Sequence, residues 1–284
     1  MRTIAIVPLA AVAVAVTLSA QGQAPSQQSE QGRLPARLSG EFTPLARPDV
    51  AGGPVPRLPD GHPDLSGPWV GGGSNSDLEK DGGLKPGDLP LLPWAKQLRE
   101  SRKEEDEPYL YCTPMSVPRV NPYPWRFVQS LTASGVSTIY VIHENGDAGG
   151  VRKIFMDGRK HPEGDALNPT WYGHSTGRWE GDTLVIDTVG FNDRSWFDFV
   201  GNPHSDRLHV IERYTRKDTA TMVNEITIDD PVMYTRPWKV SFTARARPDE
   251  ELMEYICQEN EKDSHRLEGP AIRDIPRRPG RGGR

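Results

Sequence analysis

From Arg126 to Gln258 the chain repeats with a period of two, and nothing else in it restricts the fold as much. Leu208, Val210, Glu212 and Tyr214 alternate with His209, Ile211, Arg213 and Thr215, and Trp238, Val240, Phe242 and Ala244 alternate with Lys239, Ser241, Thr243 and Arg245. Successive side chains of an extended strand point to opposite faces, so each run offers one apolar and one mixed face. Similar strands read at 126–131, 138–144, 151–156, 183–189, 221–229 and 251–258. Asn145-Gly146-Asp147, Asp157-Gly158 and Glu180-Gly181-Asp182 supply tight turns between them. Antiparallel strands at this spacing close into a barrel or pack as a sandwich. The expected fold is a single all-β domain, an antiparallel β-barrel, with a β-sandwich as the alternative. No internal repeat of the kind a propeller needs is present. One short helix is predicted from Pro93 to about Lys103, with Pro in its first turn and Trp94 and Leu98 sharing a face. The charged run to Glu107 is its expected solvent side.

The ends of the chain are of a different kind. Arg2, an apolar run from Ile4 to Leu18 and the box Leu18-Ser19-Ala20 form the three parts of a secretory signal peptide. The run is shorter than the ~20 apolar residues a spanning helix needs, and no Cys follows it to carry a lipid. Cleavage after Ala20 of the 284-residue chain leaves 264 residues, enough for one core. The expected division is a signal peptide at 1–20, a Pro/Gln-rich leader at 21–60, a barrel domain at 61–265 and a basic Pro/Gly tail at 266–284. Export makes periplasmic or secreted placement the expectation. In an oxidising compartment Cys112 and Cys257 are expected as a disulfide rather than as a thiol nucleophile. A net charge of −5 without a broad basic face argues against nucleic acid as a partner. With no phosphate-binding loop, no cofactor is expected, and no second apolar stretch is long enough to span a bilayer.

Gly67-Pro68-Trp69 followed by a strand meander resembles the G-x-W start of lipocalin-like barrels. The stretches at 63–69, 173–187, 203–205 and 226–231 carry PDLSGPW, GHSTGRWEGDTLVID, PHS and TIDDP. Together these resemble a family of exported bacterial proteins to which no reaction is assigned. The resemblance covers residues 60–262 or so; it implies a shared fold and hands over no activity.

Several motifs match functional patterns in part and fit blander structural roles better. Gly173-His174-Ser175-Thr176-Gly177, followed by Asp187 and His204, has the order of a serine-hydrolase elbow. That elbow requires a strand-to-helix turn, and here a turn and a strand follow. Asp77 to Asp88 mimics a calcium loop, but Pro86 and the terminal Asp favour a solvated acidic loop. His161, His174, His204 and His209 fall in the strand region without the H-x-x-x-H spacing that presets a metal pair, so no metal is expected.

Glu212 shares a strand face with Val210 and Tyr214, while His209 and Arg213 share the other with Ile211. Whichever face turns inward takes an ionisable group with it, which needs a partner across the barrel, a polar cavity or a place at the rim. Trp171, Trp179, Trp196 and Trp238 are core or pocket aromatics, and 195–199 (SWFDF) reads as a lid over a barrel mouth.

Two functions follow. One is a binding protein for a small, partly apolar ligand inside the barrel, contacted by Trp171, Arg178, Trp196, Phe197, His204 and Trp238. The other is a cofactor-independent enzyme of hydrolase, lyase or isomerase type. It would use His174 or His209 as general acid/base, with Glu212, and Arg178 or Arg213 against an anion. A third, weaker reading is an envelope-associated structural protein. Convergence of His174 and His209 on each other or on a carboxylate would favour catalysis.

Overall fold

The structure is a computed structural model that describes residues 50–133, 135–144 and 150–257. The expected signal peptide, the leader up to residue 49, the turn at 145–147 and the basic tail lie outside the described residues.

Nine strands close into one barrel in chain order: β1 (Trp69–Gly71), β2 (Trp125–Thr132), β3 (Gly135–His143), β4 (Val151–Phe155), β5 (His174–Glu180), β6 (Thr183–Val189), β7 (His209–Arg216), β8 (Thr221–Asp229) and β9 (Trp238–Ala246). β9 returns to β1 through Trp69↔Ala246 and Gly71↔Ala244, so the sheet has no free edge and the sandwich alternative falls away. Gly71 makes this closure possible: it has φ 89°, and a Cβ there would lie 2.6 Å from the Thr243 carbonyl oxygen.

The barrel is not wholly antiparallel. β4 and β5 run parallel, paired at Ile154↔Ser175 and Phe155↔Thr176. A hairpin cannot join parallel strands, so the chain between them travels the length of the barrel before β5 begins. The strand expected at 251–258 does not form in its described part, 251–257, because a closed ring offers it no edge to join.

The interior is filled by side chains. Trp69, Trp125, Phe127, Ile139, Val141, Ile154, Leu184, Ile186, Tyr214 and Met222 form one buried cluster. Val210, Ile226, Ile228, Trp238, Val240 and Phe242 form a second, joined by Phe191, Phe197 and Ala95. A ligand-sized cavity would leave accessible surface on its lining, yet Trp125, Ile154 and Met222 keep none. At about 25 cal/mol per Å² of apolar area, this burial is the main stabilising contribution.

Among the described residues two α-helices sit outside the barrel, α1 (Leu78–Asp81) and α2 (Pro93–Ser101). α2 starts with Pro at its first position as expected, but turns a different face inward. Ala95 is its buried residue, while Trp94 is 44% exposed. Arg99 and the flanking Arg102 continue the Ala95 face: Arg99 Nη1 donates to Asn202 Oδ1 at 3.2 Å and Arg102 Nη1 to the Gly201 carbonyl at 2.7 Å. Glu107, expected in solvent, is buried in an ion pair with Arg119 (Nη1–Oε1 2.8 Å). The segment expected as a lid is therefore anchored. Trp196, Phe197 and Asp198 are buried beneath α2, with Arg102 stacked 4.6 Å above the Trp196 ring.

Cys112 and Cys257 form a disulfide with a Cα–Cα distance of 5.7 Å across 145 residues of sequence. It ties the chain ahead of β2 to the chain that leaves β9.

Candidate functional site

β5, β6 and β7 lie side by side, with Thr176 opposite Asp187 and Asp187 opposite Ile211. Ser175, Thr188 and Glu212 face the interior, so the period of two sends His174, Asp187 and His209 to the outer face. The crossover from β4 lays His161 over that same face.

Four side chains meet there in a line. His209 Nε2 lies 2.8 Å from Asp187 Oδ1, and His161 Nε2 lies 3.2 Å from the same oxygen. His161 Nδ1 is 2.8 Å from His174 Nδ1. A carboxylate only accepts, so both Nε2 atoms facing Asp187 carry protons. Neutral His161 then has its lone pair on Nδ1 and accepts from His174 Nδ1–H. His174 is left with its lone pair on Nε2, the arrangement of a base oriented by a second imidazole and a carboxylate.

The electrostatics agree. The hydrogen bond from His209, opposed by partial burial, holds Asp187 below its ordinary value, and the same bond raises His209. Burial, then the neighbouring His161 and Arg159, lower His174, which keeps it neutral and proton-accepting near neutral pH. Phe155 stacks against His174 with ring centroids 5.2 Å apart, and Arg159 covers Phe155 at 3.8 Å. His161 spends its two ring nitrogens on opposite neighbours, so the group is a line rather than a cage. Among the described residues, no three His, Cys, Asp or Glu side chains are grouped to hold a metal ion.

A second polar line runs through the interior. Arg152 Nη2 lies 2.5 Å from Glu212 Oε2 and donates to Thr188 Oγ1 at 2.7 Å, while Arg152 Nε donates to Ser175 Oγ at 3.0 Å. Tyr214 OH donates to Glu212 Oε1 (2.9 Å), Asn121 Nδ2 to Tyr214 OH (2.8 Å) and His143 Nε2 to Asn121 Oδ1 (2.9 Å). Of the outcomes open for Glu212, the structure takes the pair across the barrel. Burial, then Arg152, pushes His143 down to about 3.

An open cleft of about 500 Å³ is lined by 169–171, 192–194 and Asp206. Trp171 precedes His174 by three residues and Asp206 precedes His209 by three, and three residues span at most about 11 Å.

The expected site residues thus separate. His174 and His209 belong to the outer line, and Trp171 to the cleft. Glu212 lies inside the barrel, on the opposite face from His209, and is committed to Arg152. Arg178 and Arg213 both bind Glu180, at 2.6 and 2.8 Å, and Arg178 is four residues or about 13 Å of strand from His174. Trp196, Phe197, His204 and Trp238 are buried in packing, so the six ligand candidates do not share one surface. Ser175, the elbow serine, is a mid-strand interior residue bonded to Arg152 and Thr188. Asp187, counted only as a follower of that elbow, is the centre of the outer line. His161 gave no signal beyond being a histidine, and Arg152 gave one: it shares a strand face with Ile154.

No protein-family model, curated protein or solved structure matches the chain.

Proposed function

We propose that this chain is an exported enzyme that performs general acid–base chemistry on a small molecule at the outer face of β5–β7, with His174 as the base. The observation that carries the reading is the hydrogen-bonded line Asp187–His161–His174, which leaves a lone pair on His174 Nε2. His161 and Asp187 are positioning residues: they hold the tautomer and stabilise the imidazolium formed when His174 takes a proton. His209 holds Asp187 ionised. Signal peptide and disulfide support placement outside the cytoplasm. The likeness at 63–69 and 173–187 supports common descent with exported bacterial proteins and adds no reaction.

The rate of p-nitrophenyl acetate hydrolysis by the full chain tests the base. His174→Gln should lose about a hundredfold or more of the enzyme-dependent rate. Asp187→Asn should lose less and shift the acid limb of the pH profile. An unchanged rate in His174→Gln overturns the reading. A binding protein is the second reading, favoured by the open cleft; the filled interior gives no support to a ligand inside the barrel.

A further inference from the structure

We propose that the cleft is a subsite for a neutral, hydroxyl-rich ligand of the carbohydrate class, held between Trp171 and Arg194 with Asn192 and Asp193. The proposal names the ligand of the site read above as catalytic, but the binding does not depend on catalysis.

Preformed walls are the first support. The segments 169–171 and 192–194 are stitched by Thr170 N donating to the Gly190 carbonyl at 3.0 Å and Asn192 N donating to the Thr170 carbonyl at 2.8 Å. Ser116 Oγ holds the Trp171 carbonyl from behind at 2.7 Å. The second wall is tied to the third beneath the surface, where Ser195 Oγ lies 2.8 Å from His204 Nε2 and both residues are buried. Ser205, next to Asp206, gives its N–H and hydroxyl to buried Asp230 at 2.6 and 2.8 Å. Walls fixed before binding spare a ligand the cost of ordering them. This also gives His204 and Ser195 a purpose: they hold the cleft and do not touch its contents.

The chemistry of the lining is the second support. About 500 Å³ lies within the usual range for a small-molecule pocket. Among the described residues, Arg194 makes no ion pair and Asp193 no hydrogen bond, although they are neighbours in sequence. Their donors and acceptors remain available to a ligand. The Asp193 carboxylate opposes an anion, and the Arg194 guanidinium opposes a cation. A sugar ring satisfies both, because each hydroxyl donates to a carboxylate and accepts from a guanidinium or amide. Its C–H face suits the indole of Trp171. Position is the third support: Trp171 and Asp206 each stand three residues in sequence from a histidine of the outer line.

Titrating the full chain with cellobiose, maltose and chitobiose, and with inorganic phosphate in parallel, tests this. The readouts are calorimetry and the indole N–H resonance of Trp171. One saccharide should bind saturably and shift that resonance, and Trp171→Ala and Arg194→Met should each weaken it at least tenfold, about 1.4 kcal/mol. Both side chains lie at the surface, and unchanged circular dichroism would confirm folding. His174→Gln should keep the wild-type affinity, which separates loss of the catalytic reading from loss of this one. No saturable saccharide binding, binding indifferent to Trp171→Ala, or a preference for phosphate overturns the proposal.

Discussion

Replacing Arg152 by Met removes the only cation that, among the described residues, pairs with Glu212, while keeping most of the side-chain volume. Glu212 is 0% exposed and Arg152 3% exposed, with Nη2 2.5 Å from Oε2. Stripping one member from such a pair leaves a buried charge uncompensated, which costs about 3–5 kcal/mol. Ser175 and Thr188 lose a donor too, but their hydroxyls lie 3.0 Å apart and keep each other as partners. The loss should therefore sit almost wholly on the carboxylate. Urea unfolding at pH 7 should show it directly, and thermal unfolding should show a midpoint lower by about 6–20 °C for a domain of this size.

Adding Glu212→Gln to Arg152→Met removes the stranded charge and leaves an oxygen to accept from Tyr214. The double variant should recover at least about 2 kcal/mol relative to the sum of the singles. A single-variant cost below about 1 kcal/mol, or strict additivity in the double variant, would refute this account of the interior pair.

Three other outcomes are expected. His143, held down to about 3 against an ordinary 6.5, contributes stability that is present above pH 6.5 and lost as pH falls toward 3. The steepest slope is about 1.4 kcal/mol per pH unit, and nuclear magnetic resonance should find this ring neutral and Nε2-protonated at pH 4.5. Asp187→Asn should lower the His209 pKa, since the bond to that carboxylate is what raises it, and a proton titration of the ring measures the change. Replacing Cys112 and Cys257 together by Ser frees a loop of 145 residues, so stability in urea should drop by up to about 5 kcal/mol in the chain-entropy model.

The later strands were readable because each pays for its place with regular alternation: β7, β8 and β9 bury every second residue. β5 escaped because two of its three inward positions are Ser175 and Gly177, which carry no apolar signal and leave Trp179 alone to mark the face. Gly177 is small for a reason, since a Cβ there would come within 2.8 Å of Ile154 Cγ2 and closer still to Met156 Sδ. The segment at 251–257 shows the converse, a strand-like stretch left out once Trp69–Gly71 had taken the partner it needed. In the site, His174 and His209 could be named from sequence, but their meeting at Asp187 depends on sheet register. His161 reaches them only by a connection that no local pattern announces. Trp94 misled because helix periodicity marks two stripes, and here Ala95, Arg99 and Arg102 form the one that binds.

The lone parallel pair, β4 beside β5, has a consequence that comes down to counting. Strands that reverse at every step around a ring return to their starting direction only when their number is even. With nine strands, one junction has to break the alternation, and in this ring it is β4–β5. An odd ring therefore obliges one connection to run the length of the wall instead of turning at the rim. Here that connection carries His161 to the outer face, between His174 and Asp187. An otherwise similar barrel with a tenth strand in that place could turn at every rim, and the imidazole that joins the line would have no way to arrive.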